Sequence, residues 1–166
     1  MVLIPHHHVN FERVLRDRKN ITNAGYVGVN KRRDRYINRR VKAALATIGL
    51  DFTPLFLFQF RQHIIDYYKT IDIQVIGYFD YQDIPYYHAT KIVNAASFGI
   101  PTVACRRLGY KEFEDFYIPV NTMEELLREV EKLKDPKYYK KWSTKVRKAA
   151  EKYHISKIAR LYKKLK

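Results

Sequence analysis

The segment from Lys91 to Ala104 combines a lysine, a run of small residues, a glycine and a proline in an order that suits an anion-binding site. The pattern predicts a helix whose small residues at 95–97 lie close against a sheet. Gly99 would end this helix, and Pro101 would open a strand. Lys91 would then lie in the first turns of the helix, where free backbone N–H groups attract anions. We therefore favour contact between Lys91 and a phosphate-bearing ligand over a solvated surface lysine.

A second candidate is the turn Gly25-Tyr26-Val27-Gly28-Val29-Asn30, which continues into Lys31-Arg32-Arg33. Gly28 would let the backbone approach a phosphate closely, and a cation such as Arg32 could neutralise it. The turn lacks the third glycine of a GxGxxG fingerprint, so it does not indicate a dinucleotide site. A glycine turn followed by a solvated basic helix start explains the same residues equally well, and the sequence leaves both interpretations open.

Five apolar runs predict the buried strands that would position these residues. The predicted strands are Ile21 to Val29, Pro54 to Phe60, Ile73 to Phe79, Thr102 to Cys105, and Phe116 to Val120. The predicted helices between and after them are Arg35 to Ile48, Arg61 to Lys69, Tyr87 to Phe98, Met123 to Lys134, and two basic helices near Tyr138–Tyr153 and Ser156–Leu165. The runs are continuous rather than alternating, as expected when helices cover both faces of a parallel sheet.

The alternation of strands and helices predicts an α/β fold: a Rossmann-like parallel sheet of about five strands flanked by helices, with basic helices at the carboxyl end. We expect a single domain over residues 1–166, with a loop-like lead-in at 1–19, an α/β core at 20–134 and the closing helices at 135–166. In such sheets a ligand lies beyond the carboxyl ends of the strands. The ligand site is therefore expected where the segment that begins at Lys91 follows the third strand.

Composition places the chain among globular proteins and makes an anionic partner the main expectation. The 166 residues are 46% apolar and 30% charged, with a net charge of +15. Residues 11–42 carry eleven Lys and Arg against three acids, and residues 132–166 carry fourteen against two. Nucleic acid, an anionic membrane surface and a phosphate-bearing small molecule are the classes of partner that such an excess attracts.

Several other features point away from alternative chemistries. No apolar run approaches the roughly 20 residues that a membrane span needs. The start lacks the pattern of a secretory signal, so we expect a cytoplasmic location. Cys105 ends a strand and is expected to be a small buried residue rather than a nucleophile. His88 and His154 are expected to be structural or exposed. No metal site is predicted, because the adjacent histidines His6 to His8 lack the separated spacing of metal ligands.

The run Lys91-x-x-Asn94-Ala95-x-x-x-Gly99-x-Pro101 resembles the C-terminal, nucleotide-sugar-binding domain of GT-B glycosyltransferases. The following segment, from Gly109 through Tyr110 and Lys111 to Glu112, resembles the Gly-x-x-Glu loop of that domain. The next strand, the helix after it and the closing helices resemble theirs in order. The likeness is good over residues 70–166, whereas residues 20–69 match only in element order and in the glycine turn.

This resemblance implies a donor site for a UDP- or GDP-sugar, used as a substrate without a metal or other cofactor. It implies that Lys91 and Glu112 act in catalysis, Lys91 together with Arg32 by stabilising the departing diphosphate, as preorganised cations do. Asn94 would face the ribose. The full set of implied donor-binding residues is Gly28, Arg32, Lys91, Asn94, Ala95, Gly109, Tyr110 and Lys111.

Departures from the family pattern leave other points open. Many retaining members carry two glutamates where this sequence has Tyr86 and Asn94, so the stereochemical outcome stays undetermined. The resemblance also implies an acceptor-binding domain or a second subunit, and an acceptor that the sequence does not identify. The alternative function is a basic nucleic-acid-binding module without activity. Attachment to an anionic membrane surface is compatible with the first function.

Overall fold

The structure, a computed structural model, describes residues 4–16, 19–28, 32–79 and 89–165. These residues form a five-stranded, fully parallel sheet in the order β2-β1-β3-β4-β5. The strands are β1 (Asn23–Val27), β2 (Asp51–Leu55), β3 (Ile73–Ile76), β4 (Thr102–Cys105) and β5 (Ile118–Val120). The predicted α/β, Rossmann-like fold is thus confirmed.

Within these ranges, six α-helices and two 3-10 helices connect and follow the strands. The helices are α1 (Arg32–Ala46), α2 (Arg61–Thr70), α3 (Thr90–Ser97), α4 (Met123–Lys132), α5 (Pro136–Ala150) and α6 (Ile155–Lys163). The 3-10 helices cover Leu108–Phe116 and Glu151–Tyr153. None of the helices in the described ranges is long and apolar enough to cross a bilayer.

Helices cover both faces of the sheet, as the continuous apolar strands predict. Ala24 and Tyr26 of β1 belong to a core cluster that includes residues of α1 and α4. Val27, the next residue, belongs to a second cluster with residues of α2 and the end of α3. Successive residues of a strand point to opposite faces, so β1 is buried on both sides.

The predicted glycine ends α3, and a side-chain cap begins α4. Gly99 follows α3 with a φ of +72°, a left-handed conformation that glycine adopts without strain. Thr122 caps α4, because its side-chain oxygen accepts a hydrogen bond of 3.2 Å from the Glu125 N–H. The Glu125 carboxylate in turn accepts a bond of 2.7 Å from the Asn121 N–H. Each cap satisfies backbone groups that the helix itself leaves without a partner.

The second strand was predicted in the wrong place. It runs from Asp51 to Leu55 rather than from Pro54 to Phe60, because β1 pairs with residues 51–55. The apolar residues that suggested the later span lie in the loop before α2, where Leu57 is 78% exposed and Phe60 is 65% exposed. A continuous apolar run therefore marked a surface loop and not a buried strand.

Other boundaries shift by smaller amounts. The first strand begins at Asn23 rather than Ile21, and the fifth begins at Ile118 because Phe116 belongs to the preceding 3-10 helix. The first helix begins at Arg32, three residues before the predicted start. The third helix begins at Thr90 rather than Tyr87. Residues 80–88, which include Tyr86 and His88, lie outside the described part of the chain.

Candidate functional site

The topological switch point of the sheet lies between β1 and β3. The chain passes from β1 outward to β2 and then returns to place β3 on the other side of β1. Connections that leave in opposite directions open a crevice at the carboxyl ends of the two strands, which is where ligands bind in open α/β sheets. Tyr26 of β1, Gly28 directly after β1, and Tyr78 after β3 lie at this edge of the sheet.

Gly28 and the two tyrosines form one packed unit at this edge. A Cβ atom on Gly28 would lie 2.2 Å from Cε1 of Tyr26, so only glycine leaves room for the ring in this position. The hydroxyls of Tyr26 and Tyr78 are hydrogen-bonded to each other, and the two ring centroids are 5.8 Å apart. The requirement for glycine at position 28 therefore comes from the packing of Tyr26.

Lys91 lies in the first turn of α3, on the side of the helix that faces the switch point. Its ammonium nitrogen is 5.3 Å from the centroid of the Tyr26 ring, within cation–π range. Its backbone carbonyl accepts a hydrogen bond of 3.0 Å from the Gln74 side-chain amide of β3. The residue at the N-cap position of α3, Ala89, makes no side-chain hydrogen bond to the helix N–H groups. The structure thus places Lys91 where the sequence predicted it, at the amino end of a helix beside the carboxyl edge of the sheet.

Arg107 is a second cation at the same edge, and the sequence analysis missed it. The residue is 95% buried, and its guanidinium donates a hydrogen bond of 3.0 Å to the Tyr78 carbonyl oxygen. The guanidinium carbon also lies 5.2 Å from the centroid of the Tyr78 ring. A charged residue two positions after the apolar strand that ends at Cys105 was the signal that could have identified it. Cys105 itself is buried and has a free thiol, as predicted.

Asn94 and Ala95, two predicted donor-binding residues, make contacts within the protein. The Asn94 side-chain oxygen accepts a hydrogen bond of 3.1 Å from the Val9 N–H, and the residue is buried. Ala95 is fully buried in the second core cluster, beside Phe98. These contacts connect α3 to the amino-terminal segment and to the core.

Glu112 and Gly109 lie on the other side of the amino end of α3. They line a cavity of about 400 Å³ together with Thr90 and Val93 of α3. The remaining lining comes from Phe113, Tyr153, Ala89 and residues 4–7 of the amino-terminal segment. Burial raises the pKa of Tyr153, and the nearby Glu112 carboxylate raises it further. Glu112 itself is exposed, so its carboxylate lies where the cavity meets the solvent.

The residues beside Gly109 have different environments. Tyr110 is 99% buried, and its ring packs edge-on against Tyr117 at 5.7 Å, so its side chain belongs to the core. Lys111 is exposed. Arg32 begins α1 after the glycine turn, and its side chain lies outside what the structure describes.

The predicted site residues thus form two groups around the amino end of α3. Gly28 and Lys91 lie on the β1 side, where Arg107 joins the Tyr26–Tyr78 pair. Gly109 and Glu112 lie on the side of the 400 Å³ cavity. The amino end of α3 therefore separates the cations, which suit a phosphate, from the cavity that Glu112 lines. Among the residues that the structure describes, no three His, Cys, Asp or Glu side chains are grouped to hold a metal ion.

Comparison with solved structures identifies the class of protein that shares this fold. HepE from Anabaena, solved in complex with UDP and glucose, superposes with a TM-score of 0.63 at 12% sequence identity, over 88% of this chain and 47% of HepE. The catalytic domain of starch synthase IV from Arabidopsis thaliana, bound to ADP and acarbose, superposes with a TM-score of 0.56 at 11% identity, over 89% of this chain and 40% of the synthase domain. No family model and no curated protein matches the sequence.

The chain therefore has the fold of one domain of a GT-B glycosyltransferase, as the sequence predicted. It spans less than half the length of either neighbour. At 11–12% identity the comparison establishes the fold and leaves the activity to be argued from the site.

Proposed function

We propose that this chain is the donor-binding part of a glycosyltransferase that transfers a sugar from a UDP- or GDP-sugar to an acceptor without a metal ion. One observation carries the proposal: the amino end of α3 meets the β1–β3 switch point with Lys91 on one side and the Glu112 cavity on the other. This arrangement supports a diphosphate at the helix end and a sugar in the cavity. Both solved neighbours hold a nucleoside diphosphate together with a sugar or oligosaccharide.

The proposed roles follow from charge. When the sugar is transferred, the departing diphosphate gains negative charge, and cations already held in place stabilise it without reorganisation. Lys91 is held against Tyr26, and Arg107 is held against Tyr78, so both cations have fixed positions before a ligand arrives. Arg32 is proposed to act with them from the start of α1. Glu112 is proposed to contact the transferred sugar.

The backbone near Gly109 and Lys111 is proposed to contact the donor beside Glu112, because Gly109 lines the same cavity. For Asn94 the ribose contact stays a prediction, since its side-chain oxygen already accepts a bond from Val9. Ala95 and Tyr110 have buried side chains, so any contact that they make with a donor would come from the backbone.

An acceptor-binding unit, either a further domain or a second subunit, is proposed to cover the carboxyl edge of the sheet. Leu57, Phe58 and Phe60 follow β2, Leu108 follows β4, and all four are exposed. Large apolar side chains exposed along one edge of a domain support an interaction surface there. The residues that recognise the acceptor are proposed to belong to that unit.

The excess of positive charge supports a further proposal that is compatible with the first. Exposed lysines along α5, such as Lys137, Lys141 and Lys148, would hold the protein at an anionic membrane surface in the cytoplasm. Co-sedimentation with phosphatidylserine vesicles, but not with neutral phosphatidylcholine vesicles, checks this proposal.

Calorimetric titration tests the proposed function. The purified chain is titrated with UDP, GDP and ADP and with their sugar conjugates, and the titration is repeated on Lys91→Ala. We expect selective binding of one nucleotide, weakened at least tenfold in the variant because a charge-assisted contact is lost. Lys137→Ala, which removes an exposed lysine of α5, is the matched control and should bind as the wild type does. Absence of nucleotide binding, together with tight and salt-sensitive binding of RNA or DNA, would establish the nucleic-acid-binding alternative instead.

A further inference from the structure

Three backbone and side-chain hydrogen bonds fasten the amino-terminal segment, residues 4–16, across α3. The His8 N–H donates to the Tyr153 carbonyl at 3.1 Å. The Val9 N–H donates to the Asn94 side chain at 3.1 Å. The Asn10 side-chain amide donates to the Ser97 carbonyl at 2.9 Å. These bonds join consecutive residues of the segment to the body of the domain, so its path beside α3 is defined.

Charged groups hold the rest of the segment. Glu12 pairs with Arg61 of α2 at 3.0 Å, and Arg13 pairs with Glu151 at 2.7 Å. His154 adds a bond of 2.8 Å between its Nε2 atom and the Phe11 carbonyl. The segment is therefore attached to α2, to α3 and to the 3-10 helix before α6. An element held at so many points is a wall of the domain rather than a loose lead-in.

This wall places two histidines at the cavity that Glu112 lines. His6 and His7 line the cavity together with Thr90, Gly109 and Glu112. Both histidines are exposed, whereas the adjacent His8 is 97% buried. Of three successive histidines, the third thus anchors the segment and the first two face the space that we propose for the sugar.

The ring of His7 is oriented by its own neighbours. Its Nδ1 atom lies 3.1 Å from the His8 carbonyl oxygen, and its ring packs edge-on against Phe11 at 5.1 Å. A carbonyl oxygen only accepts, so Nδ1 must carry the proton in this bond, and the neutral ring then has an acceptor at Nε2. A ring with a fixed tautomer suits recognition of a hydroxyl group, which can donate to that nitrogen.

We propose that His7 is a sugar-binding residue of the donor site, and that its Nε2 atom accepts a hydrogen bond from a hydroxyl of the transferred sugar opposite Glu112. This inference rests on the proposed function, because it requires a donor in the cavity. It adds a specificity element that lies about 80 residues away in sequence from the Lys91 segment. His6 lines the same cavity.

The experiment compares binding of the free nucleoside diphosphate with binding of its sugar conjugate by calorimetry at pH 7.5. His7→Ala should bind the free diphosphate as the wild type does and should bind the sugar conjugate roughly fivefold to tenfold more weakly, the size of one hydrogen bond. His7→Gln, whose side-chain oxygen can replace Nε2 as an acceptor, should recover most of the loss. His63→Ala, which removes another exposed histidine on α2, is the control and should change neither affinity. An unchanged melting temperature of each variant shows that the domain is intact.

The outcomes separate the two proposals. Equal affinity of His7→Ala and the wild type for the sugar conjugate overturns the role of His7, while the proposed function stands if Lys91→Ala still loses the nucleotide. If His7→Ala weakens the binding of the free diphosphate and of the sugar conjugate equally, a contact between His7 and the sugar is also overturned. If the wild type binds no nucleotide or conjugate, both proposals fail together.

Discussion

The ammonium group of Lys91 lies 5.3 Å from the centre of the Tyr26 ring, so the candidate phosphate-binding lysine rests on an aromatic side chain of the first strand. Tyr26 in turn packs over Gly28 and shares a hydrogen bond with Tyr78. The position of Lys91 therefore depends on residues from β1 and from the end of β3, although the lysine belongs to α3. This dependence makes the site sensitive to changes that touch no ligand.

Gly28→Ala should weaken nucleotide binding although it adds only one methyl group. The new Cβ would lie 2.2 Å from the Tyr26 ring, so the ring must move and Lys91 loses its support. We expect the free energy of unfolding to fall by about 1–3 kcal/mol, as for other overpacked sites. Chemical denaturation and nucleotide titration measure the two effects. Unchanged stability would show that the ring relocates freely, and the proposed link between Gly28 and Lys91 would be wrong.

Arg107→Met should lower nucleotide affinity, whereas Arg106→Met should not. Arg107 is buried against Tyr78, and its neighbour Arg106 is exposed, so the two variants remove the same charge from opposite environments. The loss of one preorganised cation should reduce affinity roughly tenfold. Calorimetric titration of both variants with the preferred nucleotide provides the comparison. Equal losses would mean that net charge alone attracts the ligand.

Asp72→Ala should strongly destabilise the domain without a direct effect on the site. Asp72 is fully buried, and one of its oxygens accepts a bond of 2.8 Å from Nε of Arg16. Its other oxygen accepts bonds of 2.7 and 2.8 Å from the N–H groups of Thr22 and Asn23. Removal of one partner leaves a buried charge uncompensated, which costs about 3–5 kcal/mol.

The control for that substitution is Asp66→Ala, which removes an exposed ion pair with Lys69. Exposed pairs contribute about 0–1 kcal/mol, so this variant should unfold almost as the wild type does. Urea denaturation of both variants measures the difference. Similar midpoints for the two would contradict the structural role of Asp72.

Stability should fall as the pH decreases from about 6.5 towards 4, because His8 is buried as a neutral ring. Burial lowers the pKa of His8 to about 4, and nearby His154 acts in the same direction. In the unfolded chain His8 takes up a proton near pH 6.5, so below that pH protonation favours unfolding by at most about 1.4 kcal/mol per pH unit. Above pH 6.5 the contribution of His8 is constant.

Melting temperatures between pH 4 and pH 8 measure this effect. His8→Gln should flatten the decrease between pH 6.5 and 4, whereas His63→Gln, on the exposed face of α2, should retain it. An identical slope in all three proteins would assign the acid sensitivity to other groups.

Leu57→Ser combined with Phe60→Ser should reduce the binding of an apolar dye to the isolated chain. The two side chains are 78% and 65% exposed at the carboxyl edge, so serine removes apolar surface without opening the core. The melting temperature should change little. Tyr162→Ser, which removes a 60% exposed ring from α6, is the control and should leave most of the dye signal. A signal that depends on Tyr162 instead would place the apolar surface elsewhere.

Much of the fold was determined by local sequence signals. The order of strands and helices, the side-chain cap at Thr122 and the glycine after α3 each depend on residues close together in the chain. The placement of Lys91 followed from the same signals, because the start of α3 was predicted within three residues and the fold rule puts that end at the carboxyl edge. Helix periodicity and turn chemistry are local, and a sequence displays them directly.

Tertiary structure decided what depends on contacts between distant segments. The register of β1 against residues 51–55 excluded the apolar run around Leu57 from the sheet. The burial of Arg107 followed from the packing of Tyr78, which lies 29 positions earlier. The attachment of Val9 to Asn94, 85 residues apart, holds the amino-terminal segment against α3, so that His7 lines the same cavity as Glu112. Each of these results depends on which distant segments come into contact when the chain folds. Residue type and local spacing do not specify those contacts.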